Sequence, residues 1–159
     1  LVKRLGGNTG DAFFVPSGRL HAIGAGNLLI EIQQNSDTTF RLYDWGRSAP
    51  KGLPRKLQIE EALQSIAFDD FEPGLIRPAG ETLVQCPWFI VEKWVLKSAR
   101  RASEENVFAL FVCLNGAVEM NATRIEPGEF FLVPAGAAAS ELQPAAPPTS
   151  VLRITLPVR

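Results

Sequence analysis

The stretch GDAFFVPSGRLH at residues 10–21 recurs as GEFFLVPAGAAA at residues 128–139. The two copies align without gaps and share the pattern Gly-x5-Pro-x-Gly-x2, which is followed by His21 in the first copy and by Ala139 in the second. In both copies a glycine turn leads into a strand of aromatic and aliphatic residues, and the Pro-x-Gly turn then reverses the chain. The repeat predicts two units built on one β pattern.

The residue that follows the reversal is expected to face a cavity. Histidine at this position is a good metal ligand, whereas alanine cannot bind a metal. His21 is the only histidine of the chain, and the residue alone leaves open whether it is a ligand or an ordinary surface or core residue. Glu31 and Arg41 either approach His21 in the folded barrel or form a cross-strand ion pair with each other.

The composition indicates a substantial core and little net charge. The 159 residues are 46% hydrophobic and carry a formal net charge of -1, which provides no general attraction to nucleic acid or to an anionic membrane. No apolar run reaches the roughly 20 residues needed to cross a bilayer. Cys86 and Cys113 form no CxxC pair, which argues against a disulfide framework or a cysteine metal site and favours a reducing, cytoplasmic setting.

Short strands dominate the predicted secondary structure. Apolar runs between turn residues predict strands near residues 1–4, 12–15, 20–23, 27–34, 39–44, 89–96, 107–114, 117–120, 130–133, 139–142 and 151–156. Asn115-Gly116 is expected to close a two-residue hairpin. Apolar residues at helical spacing predict one helix from residue 57 or 58 to about residue 67. Runs this short and frequent are typical of an all-β sandwich or barrel.

These elements divide the chain into three parts. Residues 1–48 are assigned to a first barrel, residues 49–80 to a linker with a short helix, and residues 81–159 to a second barrel. Lys51, Arg55 and Lys56 in the linker are expected to form a solvated loop rather than a phosphate clamp.

The repeated motif resembles the second conserved motif of the cupins, small β-barrels of the double-stranded jelly-roll type. The resemblance implies an all-β fold with one complete C-terminal barrel, part of a preceding barrel and a short linking helix. A cupin carries its other metal ligands in an earlier motif. In the second unit that region, residues 107–121, contains no histidine, which implies a metal-free barrel, and for the first unit it would precede Leu1.

A more particular resemblance begins at His21. HAIGAGNLLIEIQQNSDTTFRLYDWGR at residues 21–47 is closely similar to the C-terminal part of the zinc-dependent type I mannose-6-phosphate isomerases, which are cupins. PRKLQIEEAL at residues 54–63 resembles the linker and helix of that family, and CPWFIVEKW at residues 86–94 resembles the start of its second cupin. The resemblance covers nearly the whole chain and implies that the chain is the C-terminal half of such an enzyme.

The same resemblance implies the functional residues. His21 would be a Zn²⁺ ligand, Arg41 the active-site arginine, and Glu31 a residue of the active-site cavity. The other ligands, a histidine and a glutamate with sometimes a glutamine, belong to an upstream half that this chain does not contain. The chain alone is therefore expected to be inactive, and its open barrel is expected to be covered by the missing N-terminal half or by a second copy.

The implied reaction interconverts mannose 6-phosphate and fructose 6-phosphate through an enediol, with zinc polarising the sugar oxygens and a base carrying the proton. Arg41 suits either the enediolate or the substrate phosphate. The alternative is a non-catalytic, metal-free cupin that binds a sugar or a protein partner. An iron-dependent oxidative cupin is disfavoured because the chain contains no further histidine.

Overall fold

The described part of the computed structural model comprises residues 3–47, 52–53, 55–70, 74–78, 80–104, 106–137 and 140–157. The expectations for Lys51 and Ala139 fall outside these residues. The chain divides into two compact units, Leu1–Leu75 and Ile76–Arg159. The boundaries at residues 48 and 80 stay a prediction. No helix in the described ranges has both the length and the apolar character that crossing a membrane requires.

The second unit consists of antiparallel strands. Its described strands are β1 (Thr82–Gln85), β2 (Ile90–Leu96), β3 (Arg100–Arg101), β4 (Ala109–Asn115), β5 (Val118–Met120), β6 (Thr123–Ile125), β7 (Phe130–Val133), β8 (Glu141–Pro144) and β9 (Thr149–Thr155). They form a five-stranded sheet in the order β1-β2-β9-β4-β7 and a four-stranded sheet in the order β3-β8-β5-β6.

One core lies between these two sheets. Because successive residues of a strand point to opposite faces, Trp94 and Leu96 of β2 are buried while Val95 between them is exposed. Phe111 of β4 is fully buried at the centre of the core, where its ring stacks on Phe131 with centroids 5.0 Å apart. The four-stranded sheet contributes Val118, Ile125 and Leu142 to the same cluster.

The turn at Gly116 connects the two sheets, and the predicted hairpin at Asn115-Gly116 is wrong. The strand β4 pairs with β7 and β9, whereas β5 pairs with β6 and β8, so the chain changes sheets at this turn. Gly116 has φ +74°, and a Cβ built there would lie 2.5 Å from the carbonyl oxygen of Ala146 and 2.6 Å from that of Pro148. The glycine is thus required by the close approach of the segment that precedes β9.

The repeat detected in the sequence is also a repeat of structure, beginning with its first turn. In the first copy the backbone N–H of Asp11 donates to the carbonyl of Asn8 at 3.0 Å, and the Asp11 carboxylate accepts from the Asn8 N–H at 2.8 Å. In the second copy Glu129 and Glu126 make the same two hydrogen bonds, at 3.1 and 2.8 Å. Both copies therefore begin with the same turn, in which an acidic side chain accepts a hydrogen bond from the backbone N–H three residues earlier.

The second turn of the repeat is also shared. Arg19 N donates to Pro16 O at 3.2 Å, and Ala137 N donates to Pro134 O at 3.0 Å. Between the turns the copies differ, because the second copy forms β7 and pairs with β4, while residues 12–15 of the first copy pair with no strand in the described part of the chain. The turns depend on local hydrogen bonds, whereas a strand depends on a neighbour.

The first unit contains one helix and, among its described residues, no strand. The strands predicted within residues 3–44 do not form, because no described segment of this chain pairs with them. The helix α1 spans Ile59–Ser65 and is shorter at both ends than predicted. Ala62 is its buried residue, whereas Ile59 and Leu63 are exposed.

Candidate functional site

The imidazole of His21 is exposed and is held by one backbone hydrogen bond. Its Nδ1 lies 2.9 Å from the carbonyl oxygen of Arg19, just after the turn that reverses the chain. Because a carbonyl oxygen only accepts hydrogen bonds, Nδ1 carries the proton in this contact. In the neutral imidazole this leaves the lone pair on Nε2, the tautomer in which a histidine binds a metal through Nε2.

Arg19 links the turn that precedes His21 to the segment that follows helix α1. Its guanidinium makes two hydrogen bonds with the carboxylate of Asp70, at 2.5 and 2.7 Å, and a third with the carbonyl of Phe14 at 2.7 Å. Ala67 N also donates to Gly18 O at 2.9 Å. Gly18 has φ +86°, and a Cβ there would lie 3.0 Å from the carbonyl oxygen of Ser65, so the turn needs a glycine to pack this closely.

Arg41 is half-buried, and Gln58 fixes its backbone. The side-chain oxygen of Gln58 accepts from the Arg41 N–H at 3.1 Å, and the Gln58 N–H donates to the Arg41 carbonyl at 3.0 Å. One residue thereby satisfies both backbone groups of Arg41, as a neighbouring strand would. Gln58 is also the residue that immediately precedes helix α1.

Asp44 is the counter-ion of the arginines around it. Its residue is 9% exposed, and its carboxylate accepts two hydrogen bonds from Arg55, at 2.5 and 2.7 Å. These hydrogen bonds hold the pKa of Asp44 below its usual value, and the charges of Arg55, Arg47 and Arg41 lower the pKa further. Arg55 is therefore part of an ion pair, although its side chain stays 35% exposed, and the expectation of a solvated loop rather than a phosphate clamp stays a prediction.

Glu31 is exposed and stands apart from these contacts. Across the described ranges no hydrogen bond or ion pair joins His21, Glu31 and Arg41 to one another, so the cross-strand ion pair is not formed here, and the convergence around His21 stays a prediction. No group of three His, Cys, Asp or Glu residues that could hold a metal occurs in the same ranges. Since a catalytic zinc has three protein ligands, His21 can supply one ligand but cannot complete the set with these residues.

No sequence pattern marks the residues that hold the segments of this site in place. Gln58, Arg55 and Asp70 contact the segments of Arg41 and His21 across long sequence separations, and each is an ordinary linker or helix-flanking residue by composition. The segment from Arg55 to Asp70 holds both site segments in place, a role that only the folded chain makes visible.

Because of its two bidentate ion pairs, we expect the first unit to lose folding stability in acid. The pKa values of Asp44 and Asp70 are lowered mainly by hydrogen bonds from Arg55 and Arg19, respectively. Each pair therefore contributes stability above the unfolded carboxyl pKa of about 3.9, and this stability is lost as the pH falls through the lowered folded value. We expect Arg55→Gln to raise the pKa of Asp44 alone and Arg19→Gln to raise that of Asp70 alone.

Carbon-detected NMR titration of the aspartate carboxyl groups measures both values, and each variant serves as the matched control of the other. A variant that leaves the pKa of its own partner unchanged would contradict the ion pair in question.

Comparison with known proteins finds relatives that are named mannose-6-phosphate isomerases. The chain matches no protein-family model. It is 32% identical to the mannose-6-phosphate isomerase ManA of Bacillus subtilis, a match that covers 90% of this chain and 49% of ManA. It is also 32% identical to a mannose-6-phosphate isomerase of Streptococcus mutans, over 84% of this chain and 46% of that protein. The chain thus spans about half the length of these relatives.

The fold comparison agrees with the predicted architecture. The crystal structure of the mannose 6-phosphate isomerase from Bacillus subtilis superposes with a TM-score of 0.59, covering 76% of this chain and 41% of that structure at 22% sequence identity. The prediction of an all-β cupin fold is confirmed, as is the resemblance in sequence to mannose-6-phosphate isomerases.

Proposed function

We propose that this chain, which is homologous to mannose-6-phosphate isomerases, forms one part of such an enzyme and contributes one wall of its active site. The observation that supports this most directly is the 32% identity to two bacterial mannose-6-phosphate isomerases over 84% or more of the chain. The reaction would interconvert mannose 6-phosphate and fructose 6-phosphate. A base would take the proton from C2 of the aldose, the sugar would become an enediol, and a proton would then be delivered to C1 of the ketose.

His21 is the residue of this chain that would hold Zn²⁺. The residue is exposed, and its Nδ1–H is fixed on the carbonyl of Arg19, which leaves the lone pair of the neutral imidazole on Nε2. When bound, zinc acts as a Lewis acid that polarises sugar oxygens. Its other protein ligands would come from outside the described residues, since these offer no three-residue ligand group.

The exposed apolar surface of the first unit is evidence that another polypeptide covers it. Large hydrophobic side chains are exposed along the segments that carry the site, namely Phe13, Val15, Leu20, Ile23, Leu28, Leu29, Phe40, Tyr43 and Trp45. An exposed apolar segment with unpaired backbone groups is a surface on which further strands pair. We propose that the N-terminal half of the enzyme, or a second copy of this chain, covers this surface, and that the N-terminal half supplies the missing ligands.

Arg41 and Glu31 are the proposed catalytic residues. Arg41 is permanently charged, its backbone is held by Gln58, and its guanidinium would stabilise either the enediolate or the substrate phosphate. Glu31 would line the cavity and is a carboxylate available to carry the proton. The two free thiols fit a reducing compartment, and we place the enzyme in the cytoplasm.

The proposed activity can be tested on the full-length protein by coupled assay of mannose 6-phosphate and fructose 6-phosphate interconversion. We expect turnover in both directions, and we expect Arg41→Gln to lower kcat/KM on the order of a hundredfold. Arg4→Gln, which changes an exposed arginine elsewhere in the first unit, is the matched control. A full-length protein that binds mannose 6-phosphate without isomerising it would favour the non-catalytic cupin instead.

A further inference from the structure

The turn before His21 occurs twice in the chain, and the two copies provide an internal comparison. Arg19 of the first copy aligns with Ala137 of the second, and His21 aligns with Ala139. The hydrogen bond that closes the turn is present in both copies, because Arg19 N and Ala137 N each donate to the proline carbonyl three residues earlier, at 3.2 and 3.0 Å. An arginine is therefore not required to form this turn, and its side chain calls for another explanation.

Each nitrogen of the Arg19 guanidinium donates a hydrogen bond. The Nε and Nη2 groups donate to the two carboxylate oxygens of Asp70 at 2.5 and 2.7 Å, and Nη1 donates to the Phe14 carbonyl at 2.7 Å. The side chains of Arg19 and Asp70 are only 19% and 22% exposed. The backbone carbonyl of the same arginine accepts from His21 Nδ1 at 2.9 Å. One residue thus joins Asp70 to the imidazole.

The first turn also packs on the segment after helix α1, and the second turn has no such contact at its glycine. Ala67 N donates to Gly18 O at 2.9 Å, and a Cβ built on Gly18 would lie 3.0 Å from the carbonyl oxygen of Ser65. At Gly136, the equivalent position, a Cβ would have nothing within 4 Å in the described part of the chain. The copy with the histidine is therefore the copy whose turn is held from outside.

The Arg19 carbonyl determines which nitrogen of His21 carries the proton. An exposed neutral imidazole can rotate and exchange between two tautomers, and a hydrogen bond to one ring nitrogen selects one of them. A metal-binding histidine usually donates its other ring N–H in this way, and such contacts work best when their own supports are fixed. Because the acceptor is a backbone oxygen, its position depends on what holds Arg19.

We propose that Asp70 is a positioning residue for His21. By holding the Arg19 guanidinium, Asp70 keeps the Arg19 carbonyl where it accepts the imidazole Nδ1–H, and this leaves the lone pair on Nε2 for a metal ion. The step from the imidazole to zinc rests on the proposed function, whereas the step from Asp70 to the imidazole does not. The second copy, which lacks the histidine, also lacks the arginine, as this role requires.

The tautomer of His21 in the zinc-free, full-length protein is the direct readout. Selective ¹⁵N labelling of histidine gives the shifts of the two ring nitrogens, and the His21→Gln variant assigns them by their disappearance. In mildly alkaline buffer we expect the Nδ1–H form in the unaltered protein, with two widely separated shifts. Asp70→Ala and Arg19→Ala should each populate the second tautomer and move the two shifts toward each other, which a loss of stability alone would not do.

The matched control is Asp69→Ala, which removes the exposed carboxylate next to Asp70 and should leave the His21 shifts unchanged. The double variant Arg19→Ala with Asp70→Ala should change the shifts no more than either single variant, because both residues act through one contact. Unchanged shifts in Asp70→Ala, or an equal change in Asp69→Ala, would overturn the proposal.

Zinc affinity, measured by competition with a chelator, is the second readout. We expect Asp70→Ala to bind zinc about tenfold more weakly than the unaltered protein, the lower end of what loss of support for a ligating histidine costs. Asp69→Ala should bind as the unaltered protein does, and equal affinity of the two variants would overturn the step from the imidazole to the metal. If the unaltered protein binds no zinc, the metal part of the proposed function fails, and the tautomer alone decides the role of Asp70.

Discussion

Replacing His21 with alanine is expected to remove zinc from the full-length protein and to lower isomerase kcat/KM by more than about a hundredfold, because loss of a metal ligand should cost more than loss of its supporting hydrogen bond. The imidazole is exposed, and its hydrogen bond to the Arg19 carbonyl is the contact that the structure records for its ring. The substitution should therefore leave the thermal unfolding of the zinc-free protein nearly unchanged.

Elemental analysis of zinc and the coupled isomerase assay measure the two effects separately. Ser17→Ala, which alters an exposed side chain in the same turn and keeps the imidazole, is the matched control and should retain both zinc and activity. If His21→Ala retains stoichiometric zinc, the assignment of this residue as a ligand is wrong. If the unaltered protein isomerises its substrate without zinc, the metal part of the proposal fails while the activity stands.

Gly116→Ala should destabilise the second unit by about 3 kcal/mol or more, the largest effect on stability that we expect from a single methyl group in this chain. The added Cβ would lie within 2.6 Å of the carbonyl oxygens of Ala146 and Pro148, and it would also require an alanine at φ +74°. The atoms it meets belong to backbone that is held by hydrogen bonds, since Thr149 Oγ1 donates to Ala146 O at 3.0 Å and Asn115 donates to Pro148 O at 2.9 Å.

Gly128→Ala separates steric overlap from backbone strain. Gly128 has φ +89°, but nothing lies within 4 Å of a Cβ built there, so only the left-handed conformation is penalised, at about 1–2 kcal/mol. Denaturant unfolding followed by the fluorescence of Trp94, in a background with Trp45 and Trp88 replaced by phenylalanine, reports on the second unit alone. Equal losses of stability in the two glycine variants would contradict the packing described at Gly116.

Much of the second unit could be predicted because its strands are marked by local patterns. The predicted strand at residues 130–133 is found as Phe130–Val133, and the run predicted at 89–96 is found as Ile90–Leu96. The hairpin at Asn115-Gly116 was mispredicted for a physical reason. A two-residue turn signal reports the backbone conformation of the turn, whereas the partner of each strand depends on which sheet it joins.

The candidate site could be predicted only in part. The Pro-x-Gly turn and the family resemblance point to His21, and the same resemblance points to Arg41 and Glu31, whose roles stay predictions. The positioning role proposed for Asp70 was not foreseen, because an aspartate that follows a helix is ordinary by composition. Its contact with Arg19 depends on how the chain returns to the turn before His21, which no local pattern specifies.

The amino-acid sequence alone was sufficient for the repeat, its two turns and the family to which the chain is similar. The turns are set locally, since their hydrogen bonds join residues three positions apart, such as Asn8 with Asp11 and Glu126 with Glu129. Only the tertiary structure showed that Gln58 holds Arg41 across 17 residues and that Asp70 holds Arg19 across 51. It also showed that one copy of the repeat becomes a strand while the other does not, because a strand exists only where another segment pairs with it.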